Sequence, residues 1–425
     1  MHAKITLKNG VRIVYEHVPN VRSASLCVWI ANGSRYESAS ENGYAHYIEH
    51  MVFKGTASRT AGELACQMDA IGGQINAFTA RDCVCFYGKV LDKHLCRLTD
   101  ILCDMLTNSL FDEEDFQKER GVIYDEIDMY DDMPEDLVSE RLMAAVYKGS
   151  SLARPVLGTK RSIAAATNEK LRRYLKKYCV GPSVVVSLSG SFEKSDVDDL
   201  MNRFSLLPAG GKSSFLPAAY SPAVTVLRKP IEQNHICLGF PAVTDHDDRR
   251  YAFSLMSSIL GGGMSSRLFQ SVRESRGLCY SIYTYISAYS DTGILALYAA
   301  LNPDRERDAI SLIFSELGRF RSDGVTQQEL DRVRDQTKAN LLMSLESTSS
   351  RANAAGRCEL HLGDIPSVDM VIDAYDRVTT DDILELAREF IDFSRLSFSA
   401  VGKVGPAKKY RDLFGRLLGG TSADA

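Results

Sequence analysis

Residues 167 to 190 read TNEKLRRYLKKYCVGPSVVVSLSG, and residues 379 to 402 read TTDDILELAREFIDFSRLSFSAVG. The two align without a gap. Each opens on a threonine placed to cap a helix, continues with apolar residues at helical spacing, and passes into a strand closed by glycine. A second helical pattern follows each, with Phe204 and Phe414 near its end. A period of about 210 residues is far too long for a solenoid and predicts a duplicated domain. Length alone, 425 residues, argues for about three domains, give or take one. The stretch 208–222, rich in Pro, Gly and Ser, is the natural linker between the copies.

The duplication allows one half to be compared with the other. Tyr44-Ala45-His46-Tyr47-Ile48-Glu49-His50 falls where Tyr251-Ala252-Phe253-Ser254-Leu255-Met256-Ser257 stands in the second half. Only the first carries metal-binding side chains. His46 and His50, four apart on a helix, can grip one cation, and Glu49 between them can act on its water. At about 100° per residue the three share an arc of about 100°, and Tyr44, Ile48, Met51 and Val52 form the opposite, core-facing stripe. Ser40 or Asn42 is expected to cap this helix and Lys54-Gly55 to end it. H-x-x-E-H is the zincin motif reversed, the inverzincin order. The first half is therefore the candidate zinc-peptidase half.

Around the motif, residues 5–15 predict a hairpin with Asn9-Gly10 at its turn, and 24–31 a buried strand. A helix is expected from 60 to 71, then strands at 76–79 and 83–90, then helices from 93 to 147 broken at Pro134. Composition is that of a globular protein, 45% apolar and 25% charged. A net charge of -5 without a basic run argues against nucleic acid. No apolar stretch is long enough to span a bilayer, and the N-terminal residues lack the apolar core of a secretion signal. Ten cysteines are scattered, with Cys83 and Cys85 too close for an ordinary bridge, which suits reduced, buried thiols in the cytoplasm.

Catalytic zinc usually takes three protein ligands and a water. From the residues alone the third donor stays open. His94 is near in sequence, and the segment after Asp112 carries Glu119, Asp125, Glu126 and Asp128. Glu119 and Glu126, seven apart with Ile123 between, share a helix face.

The sequence resembles the peptidases of the pitrilysin, insulysin and mitochondrial processing peptidase family, most of all the processing peptidase β-subunit and its bacterial relatives. The resemblance runs from the first hairpin to the final helix. It is carried by the H-x-x-E-H motif, by Phe116-Gln117-Lys118-Glu119-Arg120-Gly121-Val122-Ile123-Tyr124-Asp125-Glu126, by Asn76-Ala77-Phe78-Thr79, by the Gly-rich turn 260–269, and by Arg273 and Tyr280 seven apart. Tyr47-Ile48 stands where Phe-Leu is more usual. With the repeat, the resemblance implies an α+β fold of two homologous α/β sandwiches, each an antiparallel sheet packed with helices, over 1–207 and 223–425.

It further implies one zinc ion per chain held by His46, His50 and Glu126, which lies about 75 residues beyond the motif. Glu49 would be the general base, and Glu119 would support the site from behind. Asn76, Ala77, Phe78 and Thr79 would hold substrate backbone by β-addition, and Arg273 and Tyr280 would contact the substrate. The implied activity is a zinc endopeptidase that takes short or unfolded peptides, presequence-like ones included, into a chamber closed by a second copy of the chain in a homodimer. The competing expectations are a non-catalytic scaffold or partner subunit, or an active subunit that needs a different partner chain.

Overall fold

The computed structural model describes residues 2–211 and 213–419. They form two compact units, each built on one sheet. In the first unit β1 (Ala3–Thr6), β2 (Arg12–His17), β3 (Ser23–Ile30), β4 (Gln74–Thr79), β5 (Val84–Leu91) and β6 (Val184–Gly190) are arranged in the order β1-β2-β6-β3-β5-β4. In the second, β7 (Val224–Arg228), β8 (Asn234–Pro241), β9 (Cys279–Ala288), β10 (Gly293–Leu301) and β11 (Ser397–Gly402) follow the order β7-β11-β8-β10-β9. With β1 set aside, the two orders are the same: β7 stands for β2, β11 for β6, β8 for β3, β10 for β5 and β9 for β4. The chain is a duplicated α/β sandwich. The sheets are antiparallel except for one pair in each, β2 with β6 and β7 with β11, which run parallel. That exception arises because each copy's last strand enters after a long helical excursion, β6 between β2 and β3 and β11 between β7 and β8.

The repeated segments form as their patterns predict. Thr167 and Thr379 cap the helices Asn168–Tyr178 and Thr380–Phe390, each accepting an amide hydrogen bond three residues on. Each strand that follows ends on a glycine at positive φ, Gly190 at 132° and Gly402 at 140°. A side chain at Gly190 would meet the Ser23 carbonyl at 2.2 Å, which explains the glycine there. The Asn9-Gly10 hairpin forms between β1 and β2, with Gly10 at φ 95°. The cysteines form no disulfide. Cys66 and Cys96 are exposed rather than buried, because both lie on the solvent side of surface helices.

The compact units are not consecutive in sequence. The first comprises Met1–Asp128, Arg154–Leu216 and Leu341–Ser367, and the second Met129–Ala153, Pro217–Asn340 and Val368–Ala425. Helix Pro134–Val146, from the first copy, packs in the second unit, where Val138, Leu142 and Val146 join Cys237, Ala296 and Tyr298. Helix Thr348–His361, from the second copy, packs in the first unit, where Ala352 and Ala355 join Cys27, Trp29, Cys85 and Val185. Each sheet thus has one face covered by a helix from the other copy. The exchange is possible because Pro134 starts a fresh helix after Glu113–Asp132 ends.

Candidate metal centre

The motif helix, Tyr44–Met51, buries Tyr44, Ile48 and Met51, as its apolar stripe requires, and Tyr47 as well. Its start departs from expectation. Gly43 precedes it at φ 92°, and a Cβ there would come within 2.7 Å of the Leu157 carbonyl, so no side chain fits at the usual capping position. Neither Ser40 nor Asn42 caps the helix. Glu37 does, its carboxylate accepting from the Gly43 and Ala45 amides, each at 2.8 Å. Asn42 serves as a donor instead, to Glu37 at 3.1 Å and to the Pro155 carbonyl at 2.9 Å. Burial pushes the Glu37 carboxyl up to about 7 against the pull of these hydrogen bonds. The helix ends at Met51, before Lys54-Gly55, and Gly55 at φ 115° turns the chain away.

The second contributing helix, Glu113–Asp132, buries Phe116, Glu119 and Ile123. Glu126, three residues after Ile123, continues that face. Tyr47 pins the two helices together: its ring stacks on Phe116 at 4.8 Å and 5°, and its hydroxyl donates to the Phe116 carbonyl. The hydroxyl that replaces the more usual phenylalanine therefore adds a buried hydrogen bond between the two helices.

These two helices bring His46, His50 and Glu126 together, with one ligand atom of each within 4.8 Å of the others. Glu126 Oε2 lies 3.5 Å from His46 Nε2 and 3.5 Å from His50 Nε2. That oxygen is buried without a hydrogen-bond partner among the described residues. Burial, aided by His50, depresses His46 to about 3, so its ring is neutral, the form that binds metal. The orphaned Glu126 oxygen and the two imidazole Nε2 atoms converge at 3.5 Å without a hydrogen bond between them, and a cation among them would satisfy all three. The donor set fits zinc.

Around the trio the remaining residues have separate tasks. Glu119, 7% exposed, meets His50 Nδ1 at 2.9 Å and Lys54 Nζ at 2.7 Å. Burial would raise the Glu119 carboxyl, but Lys54 and His50 outweigh it and hold it below its ordinary range. A carboxylate on Nδ1 leaves Nε2 as the nitrogen free to ligate. Glu49 lies beside the trio, its carboxyl raised chiefly by burial and hydrogen-bonded by the Thr79 hydroxyl at 2.5 Å. Asp128 is not in the group; it pairs with Lys160 at 2.5 Å. His94 lies on the turn Asp92–His94, also outside it.

The segment Asn76–Thr79 forms most of β4, the last strand of its sheet. Its side chains diverge: Thr79 reaches Glu49, whereas Phe78 turns to the other face and meets Trp29 edge-on at 5.7 Å. Arg273 and Tyr280 form a pair of their own in the second unit. The guanidinium carbon sits 5.3 Å from the Tyr280 ring, and Tyr280 is 72% exposed. Sequence reasoning missed Glu37 and the task of Lys54. A cap six residues ahead of the residue it serves leaves no helical signature, and a lysine near a helix end reads as a terminator.

Comparison with known proteins places the chain in a family. The family described as insulinase (peptidase family M16) matches residues 12–160, and the peptidase M16 inactive domain matches 165–337. An uncharacterized zinc protease of Bacillus subtilis is 40% identical over 391 residues, covering 92% of this chain and 95% of the relative. The chain belongs to the M16 peptidase family. A second M16 relative, an uncharacterized zinc protease of Streptomyces coelicolor, is 38% identical over 412 residues, covering 94% of this chain and 89% of the relative. Among solved structures, a peptidase M16 inactive domain from Pseudomonas fluorescens superposes with a TM-score of 0.89 at 18% identity, covering 95% of this chain and 98% of that one. A protease from Helicobacter pylori gives 0.87 at 21%, covering 95% and 99%. These two share the fold of this chain. His46, Glu49, His50, Glu119 and Glu126 all fall within the insulinase match, and Arg273 and Tyr280 within the inactive-domain match. Among the described residues no helix is long and apolar enough to cross a membrane.

Proposed function

We propose that this M16 chain is a zinc-dependent endopeptidase that hydrolyses short or unfolded peptides, with His46, His50 and Glu126 holding the ion and Glu49 acting as general base. The observation that carries this is the buried, unpartnered Glu126 Oε2, 3.5 Å from both imidazole Nε2 atoms. Bound there, zinc supplies a Lewis acid that polarises the scissile carbonyl and makes water more acidic. Glu49 takes the proton of the attacking water and returns it to the leaving amine, a task suited to a carboxyl that burial has made more basic. Thr79 fixes one Glu49 oxygen and leaves the other for the water. Glu119 and Lys54 hold His50 in its ligating orientation. An extended substrate adds to the edge of β4 through its backbone. Arg273 and Tyr280 donate hydrogen bonds to substrate, and a second copy of the chain closes the chamber in a homodimer.

The test is the Glu49→Gln variant beside the parent protein. Both should bind zinc, and only the parent should cleave a quenched peptide library. Equal failure of the two, with zinc bound, would favour a scaffold or a subunit that needs another chain. Full activity in a strictly monomeric parent would remove the homodimer from the proposal.

A further inference from the structure

Outside that centre, one more group among the described residues has metal-ligating atoms within 4.8 Å of one another: Asp82, Cys83 and His361. Asp82 and Cys83 lie in the tight turn between β4 and β5, closed by the Ala80 amide donating to the Cys83 carbonyl at 2.8 Å. The turn is anchored from outside as well. The Ser34 and Arg35 amides donate to the Ala80 and Arg81 carbonyls at 3.3 and 2.8 Å, and a Cβ at Gly33 would meet Ala80 O at 2.3 Å. His361 ends helix Thr348–His361, which packs so closely that a Cβ at Gly356 would meet Trp29 Nε1 at 2.3 Å. Both supports are therefore rigid before any ligand arrives, as a metal site requires.

The donor chemistry is specific. The His361 imidazole lies 3.5 Å from the Asp82 carboxylate, and Cys83 beside them is 3% exposed. The Asp82 and His361 side chains, 19% and 17% exposed, leave a way in. Burial and the neighbouring Asp82 carboxylate push the Cys83 thiol well above its ordinary range, so it would ligate by giving up its proton to solvent as the ion enters. The resulting thiolate and the carboxylate carry two negative charges, which match one divalent cation. Sulfur with nitrogen selects zinc-class ions over magnesium or calcium.

We propose that Asp82, Cys83 and His361 form a second, sulfur-containing site for a zinc-class divalent cation, tying the β4–β5 turn to the end of helix Thr348–His361. The site does not depend on the peptidase reading. Because the turn directly follows Thr79, which holds Glu49, an ion there would stiffen the strand beside the catalytic carboxylate.

The experiment is a cobalt titration of the full-length, metal-stripped chain in which the exposed Cys66 and Cys96 are replaced by serine. Two equivalents should bind, with a sulfur-to-cobalt charge-transfer band that the sulfur-free trio of His46, His50 and Glu126 cannot give. Cys83→Ser should abolish the band and one equivalent. His361→Gln, at a less buried position, should weaken cobalt at the band-forming site by about tenfold or more with the thermal midpoint of the metal-free protein unchanged. One equivalent and no band in a folded protein would overturn the proposal and leave a plain His361–Asp82 lock; so would a band that survives Cys83→Ser. A band with a single equivalent would uphold the sulfur site and count against the His46, His50 and Glu126 centre instead.

Discussion

Glu126 decides whether two imidazoles become a metal site. Its orphaned oxygen faces both, so Glu126→Gln keeps the volume and removes the charge; it should lower zinc content sharply while far-UV dichroism stays unchanged. Glu119 acts one step away, through His50, and Glu119→Ala should weaken zinc by about 10–100-fold in a chelator competition. Tyr47→Phe keeps the stack on Phe116 and removes only the hydroxyl's bond to the Phe116 carbonyl, which keeps its helical amide partner, and should cost about 0.5–1.5 kcal/mol in a denaturant titration. At this scale the sequence was partly legible. His46, Glu49 and His50 are readable because one helix fixes their spacing. Glu126 is not, since helical periodicity cannot say which of several carboxylates faces a partner on another helix. Family resemblance singled it out.

Among elements, the motif helix owes its start to a residue outside it. Glu37 carries a carboxyl raised from 4.5 to about 7, buried against the helix amides. For an acid raised on folding, stability is full below the unfolded value and declines as pH rises through the folded one. The parent protein should therefore lose stability relative to Glu37→Gln between about pH 4.5 and 7, by on the order of 3 kcal/mol, with the difference constant above that window. A flat difference across that range would show that Glu37 ionises as freely folded as unfolded. The cap could not be foreseen, because Gly43 excludes a side chain where caps usually stand and the substitute comes from a distant loop. Capping elsewhere was readable: Thr167 and Thr379 cap Asn168–Tyr178 and Thr380–Phe390 as their place in the repeated segments predicts.

For the whole molecule, the duplication was plain in the repeated helix-strand segments, and the helix exchange was not. An apolar helix face carries no label saying which of two similar sheets it will cover, so chain order suggested consecutive halves. The exchange has a direct consequence. Trp29 is the chain's only tryptophan, and it lies 2% exposed beneath helix Thr348–His361. A fragment ending at residue 216 should leave Trp29 open to water, with red-shifted emission and loss of cooperative unfolding. Adding a peptide spanning 341–367 should reverse the shift; a fragment with native-like emission on its own would contradict the exchange. The central claim rests on the metal. Its most direct test is an anomalous-difference map at the zinc edge from crystals of the zinc-loaded full-length chain. A peak about 2.0–2.2 Å from His46 Nε2, His50 Nε2 and a Glu126 oxygen is the expected result; zinc bound elsewhere with that position empty would contradict the account.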